Sequence, residues 1–344
     1  MKISICVPQY NRIMYLLQSL DLIARQTYPD IEVVISDDCS TDDTEERLLA
    51  LKGLYKYPMV YHRNEKNMGY DANYRKCIEL ANGEYCIVIG NDDSIFGDGS
   101  IAFLSRFLID NNYPEIGFSN FVMAGDTTDV NKRARQTGVL GSGTKVAMKY
   151  YSSFSFVGGL VYKKEAFMRF NTAKHDGSIY AQMYLASVMI ASGCRLFSIM
   201  EPLVVKDLVG DESERKSYRD VIASKWSNYK VENGGLPSVI HVLIEGFRDA
   251  RVLNEKIIFN IFYRVYSVTF PYWVVDYKKN AGLPAAVGLI QGMDPFRVAD
   301  FTLLNPFNKL RIYLSYLGSA AGGLLMPVAL FAKIRNWLYN KVKK

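Results

Sequence analysis

Tyr85-Cys86-Ile87-Val88-Ile89 runs directly into Gly90-Asn91-Asp92-Asp93. A short apolar run that ends in a turn residue and two adjacent carboxylates reads as a buried strand with charge at its tip. The same grammar repeats toward the N-terminus. Residues 2–7 form a β-rich run closed by Pro8, residues 31–35 another that ends in Ser36-Asp37-Asp38, and residues 59–62 a third. Between these runs, residues 14–24 place Leu16, Leu17, Leu20 and Ile23 at helical spacing. Ser40 or Thr41 stands where it would cap a second helix, whose first turn holds Asp42, Asp43, Glu45 and Glu46 against the positive end of its dipole. Residues 71–81 read as a third helix. The order βαβαβαβ, closed by right-handed crossovers, predicts an α/β fold with a mostly parallel sheet and helices on both faces.

Open sheets of this kind bind ligands beyond the carboxyl ends of their strands. The polar clusters Pro8-Gln9-Tyr10-Asn11, Asp37-Asp38 and Asp92-Asp93 all fall at such ends, so they are expected to converge on one crevice. Further on, the pattern predicts a helix at 100–109, a strand at 116–124, a polar loop at 125–143, a strand at 156–162 and a helix at 179–192. This half is expected to pack on the sheet and supply the acceptor side.

With 344 residues, 49% of them hydrophobic and 22% charged, the chain has the length and composition of a folded catalytic domain with an appended unit, and disorder is excluded. Its five cysteines lack metal-ligand spacing and scaffold density, and His62, His175 and His241 are scattered, so no zinc constellation is expected. The start of the chain lacks the long apolar stretch of a secretory signal, which points to a cytosolic catalytic domain. No phosphate loop of the G-x-x-x-x-G-K type is present, which argues against an ATPase.

The net charge of +6 is concentrated at the end, because residues 305–344 hold seven lysines and arginines and no acid. Apolar residues interleave with these cations, which favours an anionic membrane surface as partner and no nucleic acid. Residues 257–275 are apolar and aromatic with one charge, Arg264, and residues 312–332 are uncharged. Glycines and Pro327 within the second stretch weaken a spanning helix, and residues 330–342 sort into an apolar and a basic face. The expected organisation is a catalytic domain at 1–210, in two halves at 1–98 and 99–210, a helical connector at 211–256, and a helical, basic, membrane-associating tail at 257–344.

Four motifs carry a resemblance: Val7-Pro8-Gln9-Tyr10-Asn11-Arg12, Ser36-Asp37-Asp38-Cys39-Ser40-Thr41-Asp42, Asn67-Met68-Gly69-Tyr70-Asp71-Ala72-Asn73, and Gly83-Glu84-Tyr85 leading into Gly90-Asn91-Asp92-Asp93. In that order and spacing they resemble the family-2 glycosyltransferases of GT-A (Rossmann-like) fold. The Gly-x-Asp-x-Asn run is similar to abequosyltransferase-type members that assemble bacterial O-antigen. The resemblance implies a divalent cation, Mg²⁺ or Mn²⁺, held by Asp93, with Asp92 facing the ribose or the water shell of the metal. It implies donor contacts from Pro8, Tyr10, Asn11, Arg12, Asp38 (which would hydrogen-bond the nucleotide base), Asp71 and Asn73, with residues 1–98 forming the nucleotide-sugar half and 99–210 the acceptor half. Such chemistry is needed because a departing nucleoside diphosphate concentrates negative charge that fixed cations or a metal must stabilise.

An attacking hydroxyl also has to lose its proton, and inverting members use a carboxylate for this. The family places it in the first turn of the helix at 179–192, where this chain has Gln182, an amide that cannot act as a base. Asp176 is the nearest carboxylate and is taken as the base, with His175 beside it as the next candidate. Cys39 stands where the family commonly has glycine. The expected activity is transfer of a sugar from a nucleotide diphosphate sugar to a lipid-diphosphate-linked oligosaccharide at the cytoplasmic face of the bacterial inner membrane, by a peripheral or monotopic enzyme. The alternatives are a membrane-bound scaffold that binds nucleotide sugar without turnover, motivated by Gln182, and a soluble glycosyltransferase acting on protein.

Overall fold

The computed structural model describes residues 1–208, 238–331 and 333. They fall into two compact units, one within Met1–Gly210 and one within Asp211–Lys344.

The first unit opens with β1 (Ile3–Gln9), α1 (Ile13–Ala24), β2 (Ile31–Asp37), α2 (Thr44–Lys52), β3 (Met59–Arg63), α3 (Tyr70–Leu80) and β4 (Tyr85–Val88). Strands β3, β2, β1 and β4 lie side by side, and all three pairings are parallel. Alternation sorts their side chains: Ile3, Ile5 and Val7 of β1 join Leu16 and Leu20 of α1 in one core. On the other face Cys6 and Val34 meet α3, where the Cys77 thiol reaches the Val34 carbonyl at 3.3 Å. The β4 tip then continues through β5 (Ser94–Ile95) to α4 (Ser100–Asp110), whose Ile101 and Leu104 complete the first core.

Beyond α4 the unit is mixed rather than mostly parallel. The elements are β6 (Ile116–Met123), β7 (Asp126–Asn131), β8 (Gly138–Gly141), α5 (Thr144–Tyr150), β9 (Leu160–Lys163), α6 (Lys164–Phe170), α7 (Ala181–Ala191) and β10 (Leu196–Lys206). Strand β9 enters antiparallel between β4 and β6, so the parallel expectation holds for the first four strands and for β6 with β10 only. A run such as residues 160–163 signals a strand but not its direction. Residues 125–143, expected as a loop, contain β7 and β8. Every residue of β7 but one is exposed, so the segment has no buried face to give an alternating pattern.

The second unit contains α8 (Ser238–Asp249), α9 (Glu255–Arg264), a π-helical turn at Val265–Thr269, α10 (Phe270–Gly292) and α11 (Pro306–Leu325). α10 is broken at Gly282, where φ is 86°. The rings of Phe262, Tyr266, Phe270 and Tyr316 form its centre, with Phe262 stacked on Tyr266, Phe270 on Tyr316, and Tyr266 edge-on to Phe270. The apolar stretch at 312–332 does not make one helix, because α11 stops at Leu325 and Met326 turns extended ahead of Pro327. Among the described residues no helix is long and apolar enough to cross a membrane. The amphipathic segment expected at 330–342 lies outside the described residues apart from Leu330, Phe331 and Lys333.

Candidate active site

The tips of β1, β2 and β4 meet through side chains. Asn11 and Arg12 follow β1 in left-handed conformation, with φ of 55° and 59°. Such backbone costs a non-glycine residue about 1–2 kcal/mol and persists where surrounding contacts hold it. Here the Asn11 N–H donates to Ser40 Oγ at 2.8 Å and its Oδ1 accepts from the Thr41 N–H at 2.8 Å, tying β1 to the loop after β2. Arg12 reaches across to Asp92 Oδ2 at 2.8 Å, tying β1 to the tip of β4. Ser40 is thus spent at the strand tips and does not cap α2; Asp42 serves both helices, accepting from Thr44 N–H at 3.2 Å and from Ile13 N–H at 3.0 Å. Cys39 takes a φ of 63°, the left-handed conformation for which glycine is suited.

The carboxylates of this edge have distinct employments. Asp37 accepts from the Ser40 N–H at 3.0 Å and from Tyr61 Oη at 2.9 Å. Asp38, expected at the base, accepts from Asn64 Nδ2 at 3.0 Å and from the N–H groups of Met68 and Gly69 at 2.7 and 2.9 Å, which fixes the loop that leads into α3. Asn73 donates to the Gln9 carbonyl at 3.0 Å and is 3% exposed. Asp71 faces away from solvent and accepts from the N–H groups of Ile179 at 2.7 Å and Ala181 at 3.2 Å. It therefore caps α7 across 110 residues of sequence. Burial raises its pKa, and the nearby Asp176 charge adds to that against the N–H donors.

Asp93 differs from all of these. It is 2% exposed, and among the described residues its carboxylate accepts only two hydrogen bonds, both long, from the N–H groups of Gly90 and Asp207 at 3.2 Å each. Burial raises its pKa to about 7, the adjacent Asp92 charge adds to the effect, and the Asp207 N–H with Lys206 works the other way. The surroundings leave no room for another side chain: a Cβ on Gly90 or on Gly158 would stand 2.9 Å from Asp93 Oδ2. Tyr10 is 45% exposed at the rim, and Pro8 is the penultimate residue of β1, paired in register with Ser36.

Sequence reasoning missed Arg133. Its guanidinium is buried between Phe118, Phe121 and Phe156 and donates to the carbonyls of Ser119 at 2.6 Å, Ser153 at 3.1 Å, Phe156 at 2.7 Å and Gly158. It thereby fixes the 156–158 segment that walls Asp93. A lone arginine in a polar stretch carries no signal of this.

On the acceptor side, Asp176 pairs bidentately with Arg75, with Nε donating to Oδ1 at 2.8 Å and NH2 donating to Oδ2 at 2.5 Å, and its side chain is 25% exposed. His175 is 5% exposed with its ring 4.2 Å from that of Tyr184 between centroids. Gln182 is 3% exposed, and among the described residues its Oε1 accepts no hydrogen bond.

The family model for glycosyl transferase family 2 matches residues 4–169. Abequosyltransferase RfbV of Salmonella typhimurium is 32% identical over 234 residues, which is 63% of this chain and 69% of that protein. The poly(ribitol-phosphate) beta-glucosyltransferase of Bacillus spizizenii is 37% identical over 106 residues, 30% of this chain and 16% of that protein. Among solved structures, S. aureus TarS 1-349 in complex with UDP superimposes with a TM-score of 0.51 at 16% identity, covering 98% of this chain and 92% of that one. At that identity the likeness is one of fold.

Proposed function

Because the chain belongs to glycosyl transferase family 2 and is a glycosyltransferase, we propose that it transfers a sugar, with inversion, from a nucleotide diphosphate sugar to a lipid-diphosphate-linked oligosaccharide of O-antigen or a related surface polysaccharide. The donor reading rests on Asp93: a buried carboxylate beside a second one, with its pKa raised to about 7. A pair of this kind is relieved by a hard divalent cation, which prefers carboxylate oxygen and keeps positions for phosphate. Asp93 would hold Mg²⁺ or Mn²⁺, and the ion when bound supplies positive charge to the departing diphosphate.

The chain's own groups do the rest. Arg12 keeps Asp92 in place and adds positive charge to the phosphate edge. Tyr10 offers an exposed ring for the base. Asp38, Asn73 and Asp71 act on the donor by holding the loops around it. For the acceptor proton the proposal keeps Asp176 as base, ahead of the more deeply buried His175. A carboxylate has about four lone-pair sites, so one bidentate guanidinium orients Asp176 and leaves lone pairs for a hydroxyl. The name of the Salmonella relative supports a deoxyhexose-type donor and an O-antigen acceptor, and the UDP and UDP-GlcNAc in the TarS crystals support a nucleotide sugar. The proposed location is the cytoplasmic face of the inner membrane.

The test is a thermal-shift screen of nucleoside diphosphates and their sugars, with and without Mn²⁺. A ligand present at a hundred times its Kd stabilises the folded state by about 2.7 kcal/mol. One nucleoside class is expected to stabilise the protein in a manganese-dependent way, and Asp93→Asn to abolish both that effect and slow donor hydrolysis. Absence of stabilisation by every nucleotide would overturn the reading.

A further inference from the structure

We propose that the outward face of α11 is a contact surface for an anionic lipid bilayer, with the helix lying along the headgroups. One face of α11 is committed inward through Ile312, Tyr316, Ala320 and Gly323, all buried. The opposite face carries Phe307 (69% exposed), Leu310 (56%), Leu314 (58%), Leu317 (45%) and Leu325 (82%). At about 100° per residue these five fall within an arc of roughly 80°. Exposed apolar residues scattered singly are ordinary, whereas a continuous stripe on one helix marks a surface that is covered in use.

Charge selects the cover. Lys309 and Arg311 are the only charged residues of α11, and the sequence from 305 onward holds seven cations and no acid. The Arg311 guanidinium rests on the rings of Phe259 and Phe307, at 4.6 and 5.6 Å, with the apolar stripe at its side. An apolar stripe flanked by Arg311, in a stretch of sequence that holds cations and no acid, suits anionic headgroups over acyl chains. A second copy docked on the same stripe would bring like charges together.

The inward face excludes insertion across the bilayer. Tyr316 Oη donates to the Ile290 carbonyl at 2.8 Å, and a Cβ on Gly323 would stand 2.7 Å from Val274. Lys278 Nζ donates to the carbonyls of Gly323, Leu324 and Met326 at 3.1, 2.7 and 2.6 Å, closing the helix end. Detaching α11 from these contacts would unpack its own unit. The inference deepens the lipid-linked acceptor reading and rests on it for its use.

The full chain is to be sedimented with phosphatidylcholine vesicles, with and without about one third phosphatidylglycerol. The wild type is expected to bind the anionic vesicles. The exposed triple variant Leu310→Ser, Leu314→Ser, Leu317→Ser is expected to bind them about thirtyfold or more weakly, with unchanged manganese-dependent nucleotide binding. Wild-type protein that ignores anionic vesicles overturns the inference, as does a triple variant that binds them equally well, or a wild-type dimer that the triple variant converts to monomer without any vesicle binding. In each case intact nucleotide binding leaves the donor reading standing, and loss of nucleotide binding in the wild type removes that reading whatever the vesicles show.

Discussion

In metal-free protein, Asp93→Asn should stabilise the fold at pH 8. The folded chain moves the Asp93 carboxyl from its ordinary 3.8 to about 7, chiefly because it is buried and secondly because Asp92 is adjacent. Folding therefore favours the protonated form. The contribution is fully present below about pH 4, where both folded and unfolded chains hold the proton. It is lost as pH rises toward 7, and above 7 the folded state bears the whole cost of the buried charge. Three pKa units at about 1.4 kcal/mol each give a ceiling of about 4 kcal/mol. Asparagine carries no charge and keeps an acceptor oxygen for one of the Gly90 and Asp207 N–H groups, while its NH2 faces the other, which holds the gain below that ceiling. Urea unfolding of both proteins in EDTA, from pH 5 to 8.5, should show the variant more stable at pH 8 and the gap closing on acidification. Mn²⁺ should then reverse the order by stabilising only the wild type, with an apparent affinity that climbs about tenfold per pH unit below 7 as protons cease to compete. Parallel pH curves for the two proteins, or a variant less stable at pH 8, would refute the account of Asp93.

Arg133→Ala strands the carbonyls that its guanidinium serves and should cost at least about 3 kcal/mol in urea unfolding, with Arg133→Lys recovering part of the stability and little of the manganese affinity. Asp71→Ala removes the cap of α7 and should cost about 1–2 kcal/mol while changing donor Kd less than about threefold; a large loss of donor affinity at unchanged stability would return Asp71 to the donor site. Asp176→Asn should lower kcat at least about a hundredfold with KM little changed if the carboxylate takes the acceptor proton, and a small effect would leave it as the partner of Arg75 alone.

Strands β1, β2 and β4 and helix α1 were legible because the strands are almost wholly buried and the helix presents one apolar stripe, so local pattern and tertiary environment agree; α2, with only Thr44 and Leu48 buried, was legible from the acids of its first turn. The tips were legible for the same reason, since polar residues at the end of a buried run have nowhere to go but the sheet edge. What stayed hidden is long-range. The resemblance makes Asp71 a donor contact at the start of α3, and nothing local announces that its carboxylate also reaches N–H groups more than a hundred residues away. Ser40 reads as a helix cap, but the left-handed turn at Asn11 claims its hydroxyl. Strand β7 is exposed on both faces and so leaves no period to detect.

The carboxylates at the edge show how the fold separates scaffold from chemistry. Asp37, Asp38 and Asp71 are each buried, and each is satisfied by close donors that burial itself brings within reach. Hydrogen bonds of that kind serve lone pairs that water no longer reaches. Asp93 is as deeply buried as they are, yet it receives two N–H groups at 3.2 Å and a neighbouring negative charge. No side chain at Gly90 or Gly158 supplies a further donor, since a Cβ at either position would stand 2.9 Å from Asp93 Oδ2. The fold thus leaves one carboxylate short of donors at the point where three strand tips meet, and a cation is the partner that supplies what it lacks.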